Sequence, residues 1–262
     1  MNYFKTTQSF IEDCNKTTNL HDLASLVDKF TKSLGCINFV CLSHVNPFNP
    51  PEDAVVLTNY PLDWVMHHGD QEYHRYDPIM ETCKSRVVPF EWSDTNWRYN
   101  LTKGQTEMLG EAAEFGLING YTVPIPSSTG YAASLSIVYQ EGTLDPDALP
   151  AIHLLSYYVY EKALALKSVH RSIGNQILTD KQRFVLEEIS RGKSNWVISK
   201  GMGVSESAIK KHVKNIFHKY GVASRQQAIV RGLFSGDINY CDVISRPTPE
   251  TLSQPGFVHI QS

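Results

Sequence analysis

The residues whose chemistry most clearly suggests a function are lysines near the C-terminal end of the chain. In the segment Glu206–Tyr220, Lys210, Lys211 and Lys214 recur at helical spacing and would share one face of an α-helix. The apolar residues of the segment fall on the opposite side: Ile209, Val213, Ile216, Phe217 and Tyr220. Such lysines attract phosphate oxygens, although a lysine stripe on its own is usually only a solvated helix face.

The elements around this helix favour contact with DNA. The sequence GKSNWVISKGMGVSESAIKKHVKNIFHKYG predicts a short helix, a turn containing glycine, and then the lysine-bearing helix. Base contacts are expected near the N-terminal end of that second helix, from Ser207, Ala208 and Lys211. Phosphate contacts from the lysines, including Lys210 and Lys214, would add affinity but little sequence information.

Four helices are predicted in this C-terminal region, at Asp180–Ser190, residues 195–200, Glu206–Tyr220 and Arg225–Ser235. Hydroxyl side chains stand at three of the predicted N-caps, where they can accept from unpaired backbone N–H groups: Thr179, Ser205 and Ser224.

The pattern LTxxQxxVLxxIxxGKSNxxISxxxGVSxxxIKxHVxNIxxKYGVxSR resembles the LuxR-type helix-turn-helix domain. In that family the fourth helix mediates dimerisation, which here implicates Ala228, Ile229 and Leu233. Gln182 departs from the family pattern, where an acidic residue is usual. Because glutamine keeps a hydrogen bond while losing the charge, the fold is expected to survive.

A second set of residues lies in the first two thirds of the chain. The segments NYPLDWVMHHGDQEYHRYDP, PFEWSD and FGLINGYTVPIPSSTGYAASLSI resemble, in order and spacing, the acyl-homoserine-lactone-binding domain of LuxR-type quorum-sensing regulators. The positions that match the family pattern are Trp64, Asp77, Pro78, Trp92 and Gly120. A pocket for such a ligand should be mostly apolar, with a few polar groups converging at one end.

The resemblance implies a role for each of several side chains. Asp77 would accept from the ligand amide N–H, and the Trp64 indole would donate to the lactone carbonyl. Tyr60 and Ser136 would offer hydroxyls to the acyl carbonyl, and Trp92 would wall the ring. A buried carboxylate is costly unless paired, so Asp77 is expected to stay unsatisfied until ligand binds. The predicted ligand-binding set is Tyr60, Trp64, His68, Tyr73, Asp77, Trp92 and Ser136.

Each of these residues also has a purely structural interpretation. Trp64 and Trp92 could be core aromatics, Asp77 a turn residue before proline, and Ser136 an ordinary strand serine. The joint spacing favours binding. The family usually has a tyrosine where this chain has His68, which leaves the acyl group open and admits an aromatic or otherwise atypical one.

No metal or other cofactor is predicted. Three histidines lie close together in the sequence, but their spacing supplies no clear third ligand: His67, His68 and His74.

Periodicity predicts helices over residues 7–15, 20–34, 61–73, 104–115 and 145–166, and strands over 36–43, 54–58, 121–126 and 131–140. The expected fold is α+β: an N-terminal α/β/α sandwich around an antiparallel sheet, then an all-α four-helix helix-turn-helix domain. The predicted division is a ligand-binding domain (1–166), a linker (167–177), a DNA-binding domain (178–240) and a flexible tail (241–262).

Charge and composition agree with two domains of different character. Residues 178–236 hold 11 Lys/Arg against 4 Asp/Glu, whereas residues 1–160 carry a net charge of about −10. A basic module on an acidic one suggests that only the basic module contacts a polyanion.

The chain has 5 cysteines, an odd number, and none of them are in CxxC spacing, which favours free thiols. With no signal peptide and no apolar run of about 18–20 residues, the protein is expected to be soluble and cytoplasmic.

The sequence therefore predicts a quorum-sensing transcriptional regulator that binds an N-acyl homoserine lactone and a palindromic promoter site. It would act as a homodimer, with RNA polymerase as a further partner and no contact with membrane. The alternatives are a LuxR-type regulator that senses a different small molecule, and a lactone-processing enzyme. The enzyme is disfavoured because no GxSxG or HxHxDH pattern is present. A phosphorylation-driven regulator is disfavoured because no receiver-type acidic pair follows the first strand.

Overall fold

The computed structural model of the chain describes residues 3–46, 50–51, 54–94, 98, 100–126, 131–140, 144–167 and 178–239. Within these residues, Cα packing separates an N-terminal unit, up to residue 167, from a C-terminal unit that starts at residue 178. The predicted hairpin connection at 127–130, almost all of the predicted linker, the tail and Cys241 lie outside the described residues.

Among its described residues, the N-terminal unit combines six α-helices with a five-stranded antiparallel sheet of order β2-β1-β5-β4-β3. The helices are α1 (Tyr3–Lys16), α2 (Leu20–Ser33), α3 (Leu62–Asp70), α4 (Pro78–Cys83), α5 (Lys103–Glu114) and α6 (Leu149–Lys167). The strands are β1 (Cys36–Ser43), β2 (Val56–Thr58), β3 (Phe90–Glu91), β4 (Asn119–Ile125) and β5 (Ala133–Tyr139). Two 3-10 turns, Tyr73–Arg75 and Pro146–Ala148, complete this unit.

Alternation along the central strand β5 creates two different faces of the sheet. Leu135 and Ile137 point into a large apolar core that also contains residues of α1, α2 and α6. Ser134 and Ser136 belong to the opposite face, together with Val138, which packs in a second cluster with residues of α3 and α5. Because side chains alternate with period two, one strand serves a closed core and a more polar surface at once.

The described part of the C-terminal unit contains four helices: α7 (Asp180–Ser190), α8 (Asn195–Met202), α9 (Glu206–Tyr220) and α10 (Arg225–Ser235). Thr179, Ser205 and Ser224 cap their helices through their side chains, as predicted, and Ser194 caps α8 in the same way. Apolar residues from all four helices form one core. The architecture confirms the predicted mixed fold, with a helical C-terminal module.

Two short elements were not predicted, α4 and β3. The helix predicted over 145–166 begins only at Leu149, and the one predicted over 61–73 is also shorter than expected. The helix predicted over 61–73 ends at Asp70, and a 3-10 turn follows. Glu72 accounts for the break because it adopts a left-handed conformation, with φ of 53°. None of the helices in the described part of the chain has the length and apolarity to span a bilayer.

Candidate functional site

A cavity of about 330 Å³ lies between the second face of the sheet and helices α3, α4 and α5. Its wall is mainly apolar and includes Val40, Leu42, Val56, Ile79, Met80, Met108, Leu109, Ala112 and Leu117. Six of the seven predicted ligand-binding residues line it: Tyr60, Trp64, His68, Asp77, Trp92 and Ser136. The combination of apolar wall and few polar side chains is typical of a small-molecule site.

Tyr73, the seventh predicted residue, is not among the residues that line the cavity. Its hydroxyl donates to Glu111 Oε2 at 2.5 Å, and the same oxygen lies 2.6 Å from His67 Nε2. These hydrogen bonds, that of His67 first, lower the pKa of the Glu111 carboxyl. The Tyr73 ring packs near Trp64, with centroids 6.1 Å apart. Tyr73 therefore packs against Trp64 on the side away from the cavity lining and supports the wall indirectly.

Both carboxylate oxygens of Asp77 already have hydrogen-bond partners, so the expectation of an unsatisfied carboxylate is wrong. Its Oδ1 accepts from the backbone N–H groups of Ile79 at 2.8 Å and Met80 at 3.3 Å, as the N-cap of α4. Its Oδ2 lies 3.0 Å from His68 Nε2. Only 8% of Asp77 is exposed, and these contacts offset the cost of burying its charge.

Trp64 and Tyr60 present polar groups that the described residues leave unpaired. Trp64 is 4% exposed and packs against His68 and Phe115, with centroids 5.7 and 5.5 Å away. No partner for its indole N–H occurs in the described part of the chain. The Tyr60 hydroxyl is buried without a partner, and burial, followed by the charge of Asp77, raises its pKa.

A chain of hydrogen bonds fixes Trp92 on the floor of the cavity. Trp92 Nε1 donates to Thr122 Oγ1 at 2.9 Å, and that oxygen lies 2.8 Å from Ser136 Oγ. Thr122 pairs with Ser136 in the β4–β5 register. The indole also lies flat against Gly120, where a Cβ would come within 2.4 Å of the ring. Any side chain at this position would displace Trp92.

Ser134 and His74 line the cavity but were not among the predicted ligand-binding residues, and His44 contacts Ser134 from outside the lining. Ser134 lines it and pairs with His44 Nε2 at 2.9 Å. Burial lowers the pKa of His44 to about 4, and the nearby charge of Asp77 opposes that shift only in part. His74 also lines the cavity, and its Nδ1 is buried without a partner. Period-two alternation from Ser136 would have found Ser134 and the paired Thr122, whereas His44 and His74 carry no comparable signal.

The described residues contain no group of three His, Cys, Asp or Glu side chains that could hold a metal ion.

Helix α9 separates its apolar and polar residues, as predicted. Ile209, Val213, Ile216 and Tyr220 are buried in the core of the C-terminal unit. Of the five predicted DNA-binding residues, Ala208 is half-buried and four are exposed: Ser207, Lys210, Lys211 and Lys214. Lys210 pairs with Glu206 at 3.0 Å, whereas no described carboxylate lies within ion-pair distance of Lys211 or Lys214.

Two further predictions for this unit concern Gln182, which replaces an acidic residue, and the dimer contacts of α10. The Gln182 side chain is buried, and its Oε1 accepts from Lys219 Nζ at 2.9 Å and from the Thr179 N–H at 3.0 Å. The amide thus keeps a hydrogen bond without the charge. Ala228 is fully buried in the core and is not available for a dimer contact, whereas Ile229 and Leu233 are partly buried.

Comparison with known proteins identifies both units. The family model described as "Autoinducer binding domain" matches residues 19–163, and that of "Bacterial regulatory proteins, luxR family" matches residues 176–231. The chain belongs to the LuxR-type transcriptional regulators. It contains the autoinducer-binding domain and the helix-turn-helix domain of that family in the same order.

Relatives of this LuxR-type chain match it along nearly their whole length. The transcriptional activator BjaR1 of Bradyrhizobium diazoefficiens is 25% identical over 91% of this chain and 98% of its own. LuxR of Aliivibrio fischeri is 26% identical, over 87% of this chain and 92% of its own. Escherichia coli SdiA shares the fold, with a TM-score of 0.68 and 17% identity over 90% of this chain and 98% of its own. A structure of SdiA in complex with octanoyl-rac-glycerol aligns with a TM-score of 0.69, at 17% identity over 92% and 98%.

Proposed function

We propose that this LuxR-type regulator binds an N-acyl homoserine lactone in the cavity and controls transcription by binding DNA as a homodimer. The ligand-binding domain would comprise residues 1–166 and the DNA-binding domain residues 178–240, joined by a linker (167–177) and followed by a tail (241–262). The observation that carries this proposal is the apolar cavity in which Tyr60, Trp64 and Asp77 come together.

The polar groups of the cavity match the groups of such a ligand. Asp77 accepts three hydrogen bonds, and a carboxylate has about four lone-pair sites, so one acceptor site remains for the amide N–H. The unpaired Trp64 N–H suits the lactone carbonyl, and the buried Tyr60 hydroxyl suits the acyl carbonyl. Trp92, held by Thr122, would lie against the ring.

Helix α9 is the element proposed to bind DNA. Its exposed N-terminal residues would lie in the major groove, and Lys211 and Lys214 would neutralise phosphates. A dimer would present two such helices to the halves of a palindromic site, spaced by about one turn of DNA, roughly 34–36 Å. RNA polymerase would then be a further partner.

A regulator of the same family that senses another small molecule is the second candidate. SdiA binds octanoyl-rac-glycerol, which has an acyl chain but no amide. The two free hydroxyls of its glycerol would be able to donate to the remaining acceptor site of Asp77, as an amide N–H would. The resemblance to lactone-binding regulators favours the lactone, and ligand retention distinguishes the two ligands.

A lactone-processing enzyme is a weaker candidate. Among the described residues that line the cavity, Ser134 has a histidine partner, His44, as a nucleophile would require. Among the described residues, His44 Nδ1 has no carboxylate partner of the kind that orients a catalytic histidine. Burial also lowers the His44 pKa to about 4, which makes it a poor base at neutral pH. Ser134 and His44 therefore form the hydrogen bond of a catalytic dyad, but His44 is too weak a base to activate the serine.

Ligand retention tests the first half of the proposal. The full chain, purified from cells grown with N-octanoyl homoserine lactone, should carry that molecule intact in a one-to-one ratio by mass spectrometry. Cells grown with octanoyl glycerol provide the parallel arm. Retention of the glycerol ester alone would refute the lactone assignment, and appearance of ring-opened lactone on repeated turnover would favour the enzyme.

Lys211→Ala tests the second half. The variant should bind a palindromic operator fragment more weakly and lower the salt dependence of binding by about two counterions, since the homodimer loses one phosphate contact in each subunit. Fluorescence anisotropy at several salt concentrations measures both quantities. Ligand retention should be unchanged, and Lys16→Ala, on the solvated side of α1, is the matched control. Equal loss of operator and ligand binding would contradict the division into two domains.

A further inference from the structure

The cavity wall formed by the end of α3 and the following 3-10 turn carries two imidazoles, those of His68 and His74. His68 Nε2 lies 3.0 Å from Asp77 Oδ2. A carboxylate can only accept, so Nε2 must carry the hydrogen, and in the neutral ring Nδ1 is then an acceptor. No partner for this Nδ1 occurs among the described residues. Asp77 thus fixes the tautomer of its neighbour and leaves an acceptor on the cavity wall.

His74 adds a second unpaired nitrogen to the same wall. Among the described residues its Nδ1 has no hydrogen-bond partner, and because the atom is buried the ring must turn for a ligand group to reach it. Buried polar groups are normally satisfied, so an orphaned nitrogen on a cavity wall calls for a partner from outside the chain. A hydroxyl group can both donate and accept, and it therefore suits His74 in either tautomer as well as the acceptor of His68.

We propose that the acyl part of the ligand carries a hydroxyl group, and that His68 accepts its hydrogen while His74 provides a second contact. The inference rests on the proposed lactone-receptor function, in which Asp77 and Trp64 already bind the amide and the lactone ring. The remaining polar capacity of the wall then falls to the acyl part. His68 becomes the residue that determines specificity among lactones, because it presents an acceptor.

Binding of matched lactones to the full chain tests this directly. Isothermal titration calorimetry would compare N-octanoyl, N-(3-hydroxyoctanoyl) and N-(3-oxooctanoyl) homoserine lactone, and separately the cinnamoyl and 4-hydroxycinnamoyl compounds. In at least one series the hydroxylated member should bind about five- to tenfold more tightly than its parent, the worth of one added hydrogen bond. The oxo compound can only accept, so it gains nothing from the His68 acceptor and should bind less tightly than the hydroxyl compound.

Three variants attribute the preference to His68. His68→Leu removes the acceptor and should abolish the hydroxyl preference. This preference is the ratio of the affinities for the hydroxylated lactone and its parent, so a general loss of affinity for both does not change it. His68→Gln keeps a donor for Asp77 and an acceptor for the ligand, and should retain it. His67→Leu is the matched control, because His67 contacts Glu111 and is not among the residues that line the cavity.

The possible failures separate the two proposals. If the parent lactones bind but hydroxylation brings no gain in either series, the inference about His68 is overturned and the receptor function stands. The same holds if the oxo compound gains as much as the hydroxyl compound, or if His68→Leu keeps the preference. If none of the five lactones binds, the receptor function itself is refuted.

Discussion

Asp77→Asn should weaken binding of N-octanoyl homoserine lactone roughly ten- to hundredfold and leave the fold nearly as stable as before. A hydrogen bond to a charged acceptor contributes about 1.5–3 kcal/mol, and the asparagine amide would present N–H groups to the ligand N–H. Asparagine is as good an N-cap as aspartate, so its oxygen can still accept from Ile79 and Met80 at the start of α4. His68 can change tautomer and accept from the new amide. Calorimetry gives the affinity, and thermal unfolding gives the stability.

Asp77→Ala separates the two roles of the side chain. Alanine removes the acceptor and the cap together, so this variant should lose both ligand binding and about 0.5–2 kcal/mol of stability. Unchanged lactone affinity in the asparagine variant would show that the carboxylate serves only α4 and His68. Equal destabilisation in both variants would show that the cap depends on the charge.

Gly120→Ala should destabilise the N-terminal unit by about 1–3 kcal/mol and abolish lactone binding. The new methyl group would come within 2.4 Å of the Trp92 ring, and overpacking of a filled site costs about that much. Trp92 cannot shift freely, because its indole donates to Thr122 and its backbone N–H donates to the Gly120 carbonyl at 2.8 Å. Differential scanning calorimetry should show the loss, at roughly 2–4 °C for each kcal/mol.

Gly110→Ala is the matched control for this change. Gly110 lies in α5, and a Cβ built there meets nothing within 4 Å. The same substitution should therefore raise stability by about 0.5–1 kcal/mol through helix propensity. A Gly120→Ala variant as stable as the unchanged chain, with ligand still bound, would mean that Trp92 can move without consequence.

The C-terminal unit could be predicted closely because its signals are local. Helices α7, α9 and α10 begin and end at the predicted residues. Thr179, Ser205 and Ser224 accept hydrogen bonds from the backbone just inside each helix, as their positions in the sequence imply. Residue 195 was also predicted correctly as a helix start, but α8 continues to Met202, where Gly203 ends it in a left-handed conformation.

The N-terminal unit was harder, because its short elements depend on distant partners. Helix α4 has only 6 residues and β3 only 2, too few for periodicity to detect. Strand β3 exists because Phe90 and Glu91 pair with β4, about 30 residues away. The left-handed residue at the break is Glu72 rather than a glycine, although Gly69 lies three positions before it.

The cavity was predicted better as a set of residues than as a set of contacts. Spacing and family resemblance indicated six residues that line it, but they could not distinguish a side chain on the wall from one behind it, as with Tyr73. The error at Asp77 has the same origin. Whether its oxygen reaches the N–H groups of Ile79 and Met80 depends on backbone angles, which spacing does not determine. The ligand roles of these residues remain predictions.

The cavity also has a consequence for the lifetime of the protein in the cell. Strand β5 packs against a filled core on one face and borders the cavity on the other. The layer of α3, α4 and α5 is therefore expected to be less stable against local unfolding than the layer of α1, α2 and α6. Layers with fewer packed contacts open more readily and expose their backbone to proteases. A guest at a hundred times its Kd would add about 2.7 kcal/mol against that opening. Abundance of the regulator would then rise and fall with its signal, before any promoter is engaged.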